Sequence, residues 1–330
     1  TARQMTTGVA VQNAGTEDAV VMLTARDAEG NNASGLPGMT RSGIAPGATA
    51  WFWPPDFLRM GNWAIATKAY GSGEIVSSQP LLVAVQDVAM GGSVDAALYL
   101  GPLVDAPGPV APEHAVPAMA VRGADGATTG LLATNLDPVE TAQMSLEAWP
   151  PDGGPPVVAH APPVPPLQAA NFYAPAMMFA PGEHSAIVTS DRAASVLART
   201  DWTAVGGALL HDEPPPGDDI VVPLVARTVG VVCSVLAIQN VEPDREASVT
   251  ISLEPLVGGG PLTLAPRVIA PRRSAAMALC DDPQLADLAD GFEGSARIRS
   301  DGAALAVTAD MRFHGAAAVH GFEGQPARGA

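Results

Sequence analysis

The sequence predicts an all-β chain made of three tandem Ig-like or jelly-roll-like sandwiches of about 110 residues each. Three observations predict it. An apolar strand closed by Asn occurs three times, at Val9-Ala10-Val11-Gln12-Asn13, Leu131-Leu132-Ala133-Thr134-Asn135 and Val235-Leu236-Ala237-Ile238-Gln239-Asn240. Each Asn is followed by a polar turn and then a strand with period-two alternation: Ala19, Val21, Leu23, Ala25; Ala142, Met144, Leu146, Ala148; Ala247, Val249, Ile251, Leu253. Such alternation sets one face of a strand in a core and the other in water. Each copy closes on a strand ending at Ser78, Ser190 or Ser300, and an apolar strand follows at 81–85, 195–198 and 303–307.

Composition agrees with that architecture. Hydrophobic residues make up 47% of the 330, enough for a core in each copy, while the low aromatic content, 5%, suits thin Ala- and Val-rich sandwiches. The 34 Gly and 32 Pro cluster between apolar runs, as turn residues do. The formal net charge is −17, with Lys68 the single lysine. A surface of that sign has no cationic stripe to release counterions from phosphates or to meet anionic lipid, which excludes nucleic acid as a partner. No run of about 18 apolar residues occurs, so membrane insertion by a helix is not expected. The chain starts at Thr1 with neither Met nor a signal peptide, and is read as processed or trimmed.

Taken in order, the elements divide into domains 1–95, 96–205 and 206–330. Ile44-Ala45-Pro46-Gly47 is a turn feeding the strand Ala48 to Trp53, with counterparts at Ile269-Ala270-Pro271-Arg272 and Pro166-Leu167-Gln168. Pro-rich spacers at 106–112 and 213–217 read as stiff linkers. Val116 and Val221 each stand 19 residues before the Asn of their copies, so the second and third copies open with an extra strand of Val-Pro-Leu-Val type. Proline within these strands places them at sheet edges. Nineteen residues before Asn13 falls ahead of Thr1, so the first copy lacks its opening strand. Conversely, Leu98, Tyr99, Leu100, Leu103 and Val104 read as a surplus strand. An unfilled edge is a template for pairing, so these five residues are the candidate strand donated to a neighbouring chain. The alternatives are a natural chain that extends upstream, or residues 1–7 folding back.

The residues that carry chemistry are few. Cys233 and Cys280 both lie in the third copy and form the candidate disulfide, with two buried free thiols as the alternative. Trp51, Trp53 and Trp63 are the candidate ligand platform for a surface glycan; alternation puts Phe52 on one face and Trp51 and Trp53 on the other. The six histidines are scattered without metalloprotease spacing, and His211-Asp212-Glu213 reads as a solvated segment beside a linker. Asp281, Asp282, Asp287 and Asp290 lack a calcium-loop register, and 282–288 reads as a short capped helical turn. No catalytic residue, metal site or cofactor is assigned, and the chain is not expected to be an enzyme.

These phrases resemble the exported surface-protein repeats of filamentous green non-sulfur (Chloroflexus-like) and some actinobacterial proteins. The residues carrying the resemblance are Val222-Pro223-Leu224-Val225, Val11-Gln12-Asn13, Ile238-Gln239-Asn240, Gly294-Ser295-Ala296, Ser300-Asp301 and Ser78-Gln79-Pro80. The second copy departs most, with Thr134 in place of Gln. The resemblance implies a secreted or cell-surface β-sandwich protein and brings no catalytic residues. The expectation is an extracellular structural subunit of a filament, sheath or surface layer, partnered by itself, with an adhesin or carbohydrate-binding module as the alternative.

Overall fold

A computed structural model describes residues 4–27, 39–52, 71–90, 96–100, 113–121, 123, 126–177, 179–202, 207–313 and 319–327. The fold is all-β and its strands pair antiparallel. A first group comprises β1 (Gln4–Asn13), β2 (Ala19–Asp27), β3 (Met39–Ile44), β4 (Thr49–Phe52), β5 (Gly71–Ser77), β6 (Leu81–Met90) and β7 (Ala96–Leu100). It forms two sheets, β4-β1-β6-β7 and β3-β2-β5. Val9, Val11, Phe52 and Val85 of one sheet meet Ala19, Val21, Leu23, Met39 and Ile44 of the other. The alternating apolar positions of the sequence thus face each other between two layers.

The second group is β8 (Glu113–Val121), β9 (Ala127–Asn135), β10 (Met144–Trp149), β11 (Val157–His160), β12 (Ala169–Tyr173), β13 (Gly182–Ser190), β14 (Ala194–Trp202) and β15 (Gly207–Asp212). Its sheets are β11-β10-β13-β8 and β12-β9-β14-β15, enclosing Met119, Leu131, Leu146, Phe172 and Val188. The third group is β16 (Asp219–Thr228), β17 (Val232–Asn240), β18 (Ala247–Pro255), β19 (Leu262–Thr263), β20 (Arg267–Ile269), β21 (Ser274–Ala278), β22 (Phe292–Ser300), β23 (Leu305–Phe313), β24 (Val319–Glu323) and β25 (Gln325–Pro326). Here β18, β22 and β16 make one layer and β21, β17, β23 and β24 the other, and a short β16–β17 pairing at Arg227↔Cys233 and Thr228↔Val232 joins them. The core between them holds Ile220, Leu236, Ile251, Met277 and Ile298.

The phrase-ending Asn explains why the pattern recurs. Asn13, Asn135 and Asn240 are fully buried. Their Nδ2 groups donate to Glu17 O and Ile44 O, to Glu140 O and Val164 O, and to Arg245 O and Ile269 O. Their Oδ1 atoms accept the N–H of Gly15, Asp137 and Glu242. A strand running into a buried turn leaves backbone groups without ladder partners, and an amide side chain satisfies both kinds at once. The closing serine follows the same logic, with a correction. Ser77, Ser190 and Ser300 pair with Val21, Met144 and Val249, and each Oγ accepts the N–H two residues on. The counterpart of Ser190 and Ser300 is therefore Ser77. Ser78 stands instead with Asp191 and Asp301: its Oγ accepts from Val20 N as their Oδ1 atoms accept from Gln143 N and Ser248 N.

The expected opening strands are β8 and β16, at the edges of β13 and β22. Pro117 and Pro223 sit at register shifts, between Val116 and Met119 and between Val222 and Val225, where a missing N–H breaks no regular ladder bond. The surplus-strand reading is overturned. Leu98, Tyr99 and Leu100 lie in β7 and pair with Gln86, Val85 and Ala84 of β6, just as β15 pairs with β14 and β24 with β23. A closing strand exists in every group, so the boundaries at 95 and 205 cut ahead of strands that belong to the preceding sheets. Leu103 and Val104 lie outside the described residues.

Candidate functional site

The second and third groups are joined face to face. Ala115 of β8 and Ile187 of β13 pack on Ala306 of β23, flanked by Trp149 and Val241. Around this apolar centre, Gln239 Nε2 donates to Ala186 O at 3.2 Å and Ser185 Oγ donates to Arg272 O at 2.9 Å. The Arg272 guanidinium grips the Glu113 carboxylate through two bonds of 2.6 and 2.8 Å, and Arg273 reaches Pro150 O and Gly154 O. Arg272 occupies the left-handed turn position, φ 64°, that Gly47 (74°) and Leu167 (59°) hold in the other groups. Each is followed by the residue whose carbonyl accepts the N–H of the pinning Asn. A side chain in that conformation costs about 1 kcal/mol, and here the contacts to Glu113 and Ser185 hold it in place.

A second contact adjoins this one. His211 of β15, its side chain 12% exposed, lies between Asp310 of β23, 2.8 Å from Nε2, and Glu323 of β24, 3.3 Å from Nδ1. Burial alone would lower the imidazole pKa, but the two carboxylate hydrogen bonds outweigh it and raise the value to about 9. Burial opposes ionisation of Asp310 and Glu323 as well, yet the bonds from His211 hold both below the usual carboxylate range. Arg312 approaches Asp310 and Glu183 and covers the Trp202 ring. Gly321 passes so close that a Cβ there would stand 2.6 Å from His211 Cε1. Both imidazole nitrogens are engaged by carboxylates, and the adjoining cavity of about 10 Å³ has room for one water molecule. The arrangement fastens two sheets together and leaves neither nitrogen available as a base for a substrate.

His211-Asp212-Glu213 is expected from the sequence to be solvated. The structure corrects it: Asp212 N donates to Glu323, and Glu213 pairs with the buried His114 at 2.5 Å. The available signal was the apolar run Ala208-Leu209-Leu210 directly before His211, which marks a buried strand. Arg272, Asp310 and Glu323 had no comparable local signal.

The other expected residues divide. Cys233 and Cys280 form a disulfide with a Cα–Cα distance of 5.8 Å, tying β17 to the end of β21 within one layer. Trp51 is exposed and Phe52 buried, as alternation required, whereas Trp53 and Trp63 lie outside the described residues. Asp282 caps the 3-10 turn Pro283–Leu285 by accepting from Gln284 N, and it also pairs with Arg267. Among the described residues no group of three His, Cys, Asp or Glu side chains could hold a metal ion.

The first group differs at one edge. β13 and β22 each have an opening strand beyond them, but β5 is the last strand of its sheet among the described residues. The opposite layer differs too. Thr129 and Ser234, six residues before their Asn, are buried and accept the N–H of Ala120 and Ala226 from the opening strands. Their counterpart Thr7 is exposed. Beside this edge Val20 and Val76 are also exposed, Val76 at 50%. Comparison with protein families, curated proteins and solved structures returns no match for the chain.

Proposed function

We propose that this chain is an extracellular structural protein of three tandem sandwiches that assembles with copies of itself into a filament, sheath or surface layer. The observation that carries the reading is the edge of β5, which has no strand beyond it among the described residues where both other groups hold an opening strand. Unpaired N–H and C=O groups along such an edge accept an added strand through main-chain hydrogen bonds, and the exposed Val20 and Val76 beside it offer apolar area to that strand. The donor is a segment other than Leu98–Leu100, which are already paired. The disulfide suits an oxidising compartment outside the cytosol.

Negative-stain microscopy and light scattering of the native, unboiled protein test this. Filaments or sheets are expected. They should dissolve when the exposed Val76 on β5 is replaced by Glu, which puts a charge in the apolar contact beside the added strand. A protein that stays monomeric at all concentrations would overturn the reading.

A further inference from the structure

The face that receives the second group in the third group has an uncovered counterpart in the first. Two cross-strand rows define it. In the third group they run Ala276–Ala237–Thr308 and Ser274–Gln239–Ala306 across β21, β17 and β23. In the first they run Trp51–Ala10–Ala84 and Thr49–Gln12–Leu82 across β4, β1 and β6. The central Ala and Gln are the same in both. In the third group Gln239 and Ala306 are fully buried beneath Ala115 and Ile187. In the first, Gln12 is exposed, Leu82 is 59% exposed and Trp51 48%. The rows are thus more apolar where they are uncovered than where they are covered. That inverts what solvation alone would select.

We propose that two copies of this chain pack face to face through the β4-β1-β6 surfaces of their first groups. Three observations select a second copy. The equivalent surface already takes a sheet face of this same chain, so the geometry suits a sheet-on-sheet contact. In a chain of net charge −17, these rows carry no charged side chain, so two copies meet here without apposing like charges. The other available sheet faces fit it less well. The second group's β8-β13 face is occupied by the third group. The third group's corresponding face carries Arg297 paired with Asp219, Arg299 and Glu254, where the second has Ile187, Glu113, Thr189 and Trp149. An isologous contact places Leu82 and Trp51 of each copy against apolar area of the other.

This inference rests on the proposed self-association, and the test separates the two. Light scattering of the full chain should show a dimer unit that tightens as salt rises from about 0.02 to about 0.5 M, because screening relieves the repulsion of two acidic chains. Leu82→Glu and Trp51→Glu should each weaken it about tenfold or more. Both sites are exposed, so circular dichroism and melting should stay unchanged. Since Cys233 and Cys280 are bonded to each other, Leu82→Cys adds a single free thiol. Oxidation should convert that variant to a covalent dimer. Assemblies that persist in Leu82→Glu, together with no cross-linking of Leu82→Cys, would overturn the face contact and leave the edge contact standing. A dimer that does not polymerise would support the face and count against the filament. A monomer under all conditions would overturn both, including one that binds a glycan at Trp51.

Discussion

The first and third groups of strands share a plan but differ in how they are finished. Both carry the Asn pin with three matching hydrogen bonds, and both centre corresponding rows of the layer that ends in the closing strand on an Ala and a Gln. The third group adds an opening strand, a disulfide, a face covered by its neighbour and the Asp310 and Glu323 carboxylates that hold His211 of the second group. The first shows none of these among its described residues, and its turn position is Gly47 where the third has Arg272. Local hydrogen bonding is therefore enough to specify the layered plan. What differs is edge and face closure, and these determine which surfaces remain available for another chain.

If closure makes the third group the more stable, removing the disulfide should narrow the gap most. Its loop of 47 residues corresponds to about 4 kcal/mol in the chain-entropy account. Calorimetry of Cys233→Ser/Cys280→Ser should show the high-temperature transition falling while the transition of the first group stays put. The Asn pins come next. Asn240→Ala orphans the buried Ile269 carbonyl and frees two further backbone groups, a loss of about 3 kcal/mol. Asn13→Ala makes the same chemical change on a strand whose Gln12 is exposed, so limited proteolysis should cut the first group selectively.

The joint has a pH signature of known sign. His211 titrates at about 9 in the fold, against about 6.5 for a free imidazole. Its contribution is complete below about 6.5 and is lost as pH rises through about 9. The lowered pKa values of Asp310 and Glu323 give the opposite arm, present above about 4 to 4.5 and lost in acid. The joint should thus be tightest between about pH 5 and 6.5, weakening by about 3 kcal/mol toward pH 9.5. His211→Gln should flatten that alkaline slope in thermal scans, and a slope unchanged by the substitution would refute the assignment. The smallest effect belongs to the turn. Arg272→Gly relieves the left-handed backbone while losing the partly exposed pair with Glu113, so net stability should stay within about 1 kcal/mol of the parent. Gly47→Arg, with no Glu113 to meet, should only destabilise.

Much of the plan was legible because its causes are local. Alternation at Val21, Leu23 and their counterparts marks the buried face, and the Asn phrase marks the pinned turn. The 19-residue offset located β8 and β16. The serine slipped by one because Ser77 and Ser78 are adjacent, and only strand register tells them apart. Leu98–Leu100 looked surplus because the matching strands β15 and β24 are short and dissimilar in sequence.

The sequence by itself determined the all-β class, the pinned turns and the alternation that builds each core, since these depend on residues a few positions apart. Only the tertiary structure decided that β7 is already paired, that His211 meets Asp310 and Glu323 about a hundred residues away, and that Gln239 is covered while Gln12 is exposed. Such features depend on which face lies against which, and residue pattern along one strand carries no information about the strand or sheet that will cover it.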